Sequence, residues 1–184
     1  MKRAPRLIGL TMLGLAALVA APASTTTLLH FDIEEMTAIA AVVAVGEVDG
    51  VEARWNDART KIYTRVTIKP TEVLKGASNL RRLTIKMIGG KVGEDAARLP
   101  GTPELKPGER VLVFLEPRDD GDGYLIVGLF QGLFRLRKGA QGDDVLSQDP
   151  TPSDVTLIEN GSRPAATRML TLGDVRAILK GGGR

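Results

Sequence analysis

"KIYTRVTIKPTEVLKG", residues 61–76, is the stretch on which the fold turns. Its first half alternates: Ile62, Thr64, Val66 and Ile68 fall on one face, Tyr63, Arg65, Thr67 and Lys69 on the other. A period of two is the signature of a strand with one buried face. Pro70 then interrupts it. Proline offers no N–H to a ladder, so the continuation "TEVLKG" is expected to bend there or to run along a sheet edge. The reading is a long, bent strand.

Other stretches behave in the same way. "AVVAVGEV" (41–48) is a β-branched run that reads as a buried strand, and "LTIKM" (83–87) alternates, with Leu83, Ile85 and Met87 inward. "VLVFL" (111–115) is apolar on both faces, as a central strand would be. "YLIVGLF" (124–130) and "GLFRL" (132–136) complete about six strands, with Gly128 and Gly132 marking a bulge or tight bend.

Two short helices flank this core. In "FDIEEM" (31–36), Asp32 and Glu35 have capping-box spacing, and Phe31 and Met36 stand at the hydrophobic-staple positions. A helix over about 33–41 follows. In "LTLGDVRAILKGGG" (170–183), Thr171 with Asp174 and Leu170 with Val175 repeat both patterns, and Gly181 ends a helix over about 172–180. Ser24 and the three threonines after it are expected to form a loose arm. Residues 139–167, rich in Gly, Pro, Asp and Ser, are expected to form a polar excursion with one weak strand at "VTLIE". The helices are too few for βαβ units, so antiparallel pairing through turns is the simpler topology.

The strand order resembles the oligonucleotide/oligosaccharide-binding (OB) barrel, and more narrowly the netrin-like module of tissue inhibitors of metalloproteinases. The likeness rests on "VVAVGEV", "YTRVTIKPTEVLKG" and "PGERVLVFLE" and covers roughly residues 40–136. The chain also resembles a group of uncharacterised bacterial exported proteins carrying "IYT", "VLKG", "GG", "PGERVLVFL" and "GLFQGLF" in this order. The resemblance implies a mainly β, OB-like antiparallel barrel of about five or six strands with short flanking N- and C-terminal helices. The inhibitors chelate zinc through an N-terminal cysteine. This chain has no cysteine, so neither that mechanism nor any functional residue carries over.

The N-terminus reads as a signal peptide over residues 1–23. Lys2, Arg3 and Arg6 form a basic start, Leu7 to Ala20 an uncharged, mainly apolar run, and Ala21-Pro22-Ala23 a small-residue cleavage site. The run is too short to span a bilayer. Cleavage leaves one domain, residues 24–184, in the periplasm or outside the cell. All three removed charges are basic. The mature chain then carries 22 Lys and Arg against 22 Asp and Glu and is formally neutral, which removes the electrostatic footprint of a nucleic-acid binder. Without cysteine, disulfides, thiolate metal sites and cysteine nucleophiles are excluded.

Motif after motif fails as chemistry. "GGKVG" (89–93) lacks the first glycine and the Ser/Thr of a phosphate-binding loop, so it reads as part of a long loop over about 89–108 that turns the chain between strands. "RDDGDGY" (118–124) has part of a calcium-loop spacing but not its terminal glutamate, and reads as a hairpin turn. His30 is the only histidine, and none of the five serines lies in a Gly-x-Ser-x-Gly elbow. Glu34 and Glu35 are explained by capping. Asn160-Gly161-Ser162 reads as a turn. No catalytic residue, metal site or cofactor is expected.

What remains is a surface. Trp55, the only tryptophan, is expected in the loop between the first two strands, where barrels of this type contact ligands. It could stack on a sugar or anchor a protein, with Arg54, Asn56 and Arg59 beside it and Lys91 on the long loop. The alternative is that its ring packs on the barrel rim beside Tyr63. The expected function is a non-enzymatic binding or protein-interaction module with a protein or saccharide partner. The alternatives are a carboxylate-dependent hydrolase of the cell envelope and a structural envelope component.

Overall fold

The computed structural model describes residues 26–140, 142–158 and 170–181. In chain order its elements are β1 (Thr26–Leu29), α1 (Ile33–Ile39), β2 (Val42–Trp55), β3 (Ile62–Lys75), β4 (Leu83–Val92), β5 (Asp95–Arg98), β6 (Arg110–Pro117) and β7 (Tyr124–Ile126). A 3-10 turn (Leu129–Gly132), β8 (Leu133–Lys138), β9 (Asp144–Ser147), β10 (Val155–Ile158), β11 (Leu170–Thr171) and α2 (Leu172–Gly181) follow.

Five strands close a ring. β2 pairs with β3, β3 with β4, β4 with β7, β7 with β6, and β6 with β2. This is a small, mainly β, barrel-like fold with two flanking helices, as expected. One expectation needs correcting: the β4–β7 contact that closes the ring is parallel, through the single bridge Ile85↔Tyr124. The sheet also outgrows the ring. β8, β9 and β11 continue it outward from β6.

That extension explains why two runs are apolar on both faces. β2 and β6 stand between two cores. Ala44, Val48, Val111, Val113 and Leu115 point into the ring against Val66, Ile68, Leu83 and Ile85. Val43, Val45, Leu112 and Phe114 point the other way, against Met36, Phe134, Leu136, Leu146 and Val175. The helices and the outer strands supply this second core. Phe114 and Phe134 meet edge-on there, with centroids 6.1 Å apart.

Both helix starts follow their capping patterns. The Asp32 carboxylate accepts the Glu35 N–H at 2.7 Å and Glu35 accepts the Asp32 N–H at 3.0 Å. Thr171 and Asp174 make the same reciprocal pair at 3.2 and 2.9 Å. Both apolar partners of the staple positions, Met36 and Val175, are buried in the second core.

The bend in β3 is a bulge. Val45 pairs with Glu72 but Gly46 pairs with Pro70, which leaves Thr71 as the extra residue. At Gly46 the two strands press close together. A Cβ there would lie 2.6 Å from Ile68 Cγ2 and 2.6 Å from the Lys69 carbonyl oxygen. β3 pairs with β4 only as far as Ile68. Pro70 therefore sits where β4 no longer runs alongside, as its missing donor requires.

Three further expectations change. The arm is not loose where it is described, since Thr26–Leu29 pairs in parallel with β10. The 139–167 excursion contains β9 and β10, so it is more ordered than its composition suggests. The 89–108 loop is partly strand: β4 runs on to Val92 and turns into β5, pairing Gly89↔Arg98 through Val92↔Asp95. The signal segment and Asn160-Gly161-Ser162 lie outside the described residues.

Candidate binding cleft on the barrel face

The register brings one row of side chains to the outer face of the ring. Glu52 stands opposite Arg65 and Arg54 opposite Tyr63, while Arg65 stands opposite Lys86 on the next strand. Trp55 is not in a loop, as its sequence context suggests. It is the last residue of β2, paired with Ile62 and half-buried. The turn after it is held by Asn56, whose Oδ1 accepts the Thr60 and Lys61 N–H groups at 2.8 and 3.0 Å. Its Nδ2 donates to the Thr60 hydroxyl at 3.0 Å. Asn56 thus shapes the turn with the groups a partner would have used. Arg59 sits in the left-handed region at φ 52°, exposed at the tip.

The turn between β6 and β7 comes in from the other side. Its Asp122 carboxylate accepts from Arg65 Nη1 at 3.0 Å and from Lys86 Nζ at 2.8 Å. Asp120 is gripped by Arg118 Nε and Nη2, at 2.9 and 2.7 Å, and also accepts the Asp122 N–H. Lys86 Nζ lies 4.8 Å from the centre of the Tyr63 ring. Between the two turns lies a cleft of about 530 Å³, lined by Trp55, Tyr63, Arg54, Arg65, Lys86 and Asp122 among others. Arg54 is itself paired with Glu52 at 2.6 Å, both side chains being exposed.

These contacts set the protonation of the two aspartates. Arg118, and after it the Asp122 N–H, holds Asp120 far below the ordinary carboxylate range. Lys86, and then Arg65, lowers Asp122. A carboxyl that acts as a general acid needs its proton held at working pH, the opposite shift.

Lys91 does not join Trp55. It is exposed on β4 and lines a separate cavity with Val51, Ala53 and Thr64. The glycines before it serve packing: a Cβ on Gly90 would lie 2.4 Å from Thr64 Oγ1 and 2.9 Å from Ala53 Cβ. The Gly89 carbonyl accepts the Thr64 hydroxyl at 2.7 Å. His30 lies between β1 and α1, and its backbone N–H donates to the Ile158 carbonyl.

Tyr63, Arg65 and Lys86 are not among the binding candidates that the sequence offers, and Asp122 enters there only through the calcium-loop spacing of 118–124. The outward alternation of Tyr63 and Arg65 was visible, but joining them to Lys86 and Asp122 requires the strand register. No protein-family model matches the chain, and no curated protein matches it.

Proposed function

We propose that this is an exported, non-enzymatic interaction module that holds a protein partner in the cleft between the Asn56 and Asp122 turns. One observation carries the reading. The only tryptophan and one of the two tyrosines share a single open cleft with two arginines and a lysine. Tryptophan, tyrosine and arginine are the side chains that dominate protein-binding hot spots. The charges in the cleft are of both signs and largely paired, which suits a partner surface that is itself mixed rather than a polyanion.

The hydrolase alternative is less well supported. Of the carboxylates that line the cleft, Asp122 is stabilised as an anion by Lys86 and Arg65 and keeps no proton for a leaving group, and Glu52 is paired with Arg54. Export rests on the basic start, the apolar run and the small-residue site in residues 1–23. Among the described residues, no helix is long and apolar enough to cross a membrane.

Two experiments test the proposal. Mass spectrometry of the native protein should give an N-terminus near Ser24, and an intact Met1 in the cytosolic fraction overturns export. A photo-crosslinking residue placed at Asp57, on the cleft rim, should give one discrete protein adduct in cells, lost on Trp55→Ala. No adduct, with Trp55 fluorescence instead quenched by oligosaccharides, would replace the protein partner by a saccharide.

A further inference from the structure

The ring closes at one point only. β4 and β7 meet at Ile85↔Tyr124, and pairing on that edge of β4 resumes at Gly89, with β5. Lys86, Met87 and Ile88 pair with β3 on one edge and, among the described residues, make no ladder pair on the other. Across the gap, Leu125 and Ile126 pair, among the described residues, with β6 alone. Two strand edges therefore face each other with no strand of the described residues between them.

The gap is a cavity of about 340 Å³ with apolar walls, among them Leu29, Met87, Ile88, Leu99, Leu125 and Leu129. Four of the six large aliphatic side chains exposed among the described residues line it: Leu29, Ile88, Leu99 and Leu125. Isolated exposed aliphatics are ordinary, but their concentration in one concave place marks a site. The cavity lies beside the Trp55 cleft and shares Lys86 with it.

We infer that this gap receives a short extended segment of a partner protein, added as a strand between β4 and β7. Facing strand edges require backbone donors and acceptors, and among apolar occupants a polypeptide offers both. A fatty acid or anionic lipid would meet the walls but not the edges. It would also find the two cations of the lining already engaged, Lys86 by Asp122 and Arg118 by Asp120, with Glu116 adding a carboxylate. Three residues of β4 span about 10 Å, so the inserted segment is three or four residues long, with alternate side chains turned into the cavity.

The test uses ¹⁵N-labelled full-length protein and an octapeptide of alternating valine and threonine with lysine at each end. Its addition should shift the amide signals of Lys86, Met87, Ile88, Leu125 and Ile126. Methylating alternate peptide nitrogens should weaken binding at least tenfold, and dodecanoate should not displace the peptide. Ile88→Lys and Leu125→Lys alter side chains that are 42% and 37% exposed, so both variants should keep the wild-type urea midpoint and lose the peptide. Trp55→Ala should bind it as the wild type does, which separates this site from the cleft. Equal binding of the methylated peptide, displacement by dodecanoate, or shifts confined to other residues would each overturn the inference.

Discussion

The Gln131 side chain accepts the backbone N–H of Phe31, one hundred residues earlier in the chain, at 3.0 Å. Its Nε2 donates to the carbonyls of Leu29 and Gly128, at 2.9 and 3.3 Å. Gln131 is 2% exposed and is the only buried polar side chain of the described core. It ties the chain between β1 and α1 to the turn that follows β7. Gln131→Leu keeps much of the volume but strands the Phe31 N–H and the Leu29 carbonyl. Each buried group left unpaired costs about 1–3 kcal/mol, so a loss of about 3 kcal/mol in urea unfolding is expected. A loss under about 1 kcal/mol would mean that the segment before α1 is anchored by its apolar contacts instead.

Two glycines in β2 make a matched pair. A Cβ at Gly46 would press on the Ile68 side chain and the Lys69 backbone, whereas at Gly50 nothing lies within 4 Å. Gly46→Ala should cost about 3 kcal/mol, because backbone on the opposing strand must move. Gly50→Ala should be neutral or stabilise by about 0.5 kcal/mol through the unfolded chain. Equal urea midpoints for the two variants would show that the bulge opposite Pro70 yields easily.

The ring was legible because its determinants are local. Alternation over 62–69, capping at Asp32 and Thr171, and two-sided apolarity at 111–115 each follow from neighbouring residues and identify their elements. Gly89-Gly90 misled because glycine signals loops and close approaches alike, and only the position of Thr64 and Ala53 decides between them. β1 and β10 are four residues each and pair in parallel, so neither carries a turn signal pointing to the other. The cleft was half legible. Trp55 and Arg54 announce themselves by composition, but Asp122 reaches Arg65 across 57 positions and Lys86 across 36. No local pattern encodes such a meeting.

Acid should weaken the join between β6 and β9. Asp144 is held by Arg110 at 3.0 and 3.2 Å and by Lys138 at 3.0 Å, which together lower it to about 2. Its folded pKa lies below the unfolded value of about 3.9. The stabilisation is therefore complete above pH of about 4 and is lost as pH falls toward about 2. Arg110 is 41% exposed, so solvent screening limits the contribution to about 1 kcal/mol. Asp144→Asn should lower stability near neutral pH by that amount and flatten the acid limb. Wild-type and variant urea midpoints that stay parallel down to pH of about 2 would assign the acid loss to other carboxylates.

Trp55 decides whether the cleft is a site or a support. Trp55 is half-buried at the end of β2, opposite Ile62, and is among the residues that line the cleft. Trp55→Ala should therefore cost about 1 kcal/mol of stability, against about 3–5 kcal/mol for truncating a fully buried aromatic. The crosslink formed from position 57 should disappear with it. As the sole tryptophan, Trp55 also reports on the cleft directly: its emission should shift to shorter wavelength when a partner covers the ring. Arg65→Gln should weaken capture without a comparable loss of stability, because its pairing with Asp122 is partly exposed. A fall of about 3 kcal/mol or more in Trp55→Ala, with capture reduced only in proportion to the unfolded fraction, would make the ring a support for the sheet, and the partner would then have to be sought on another face.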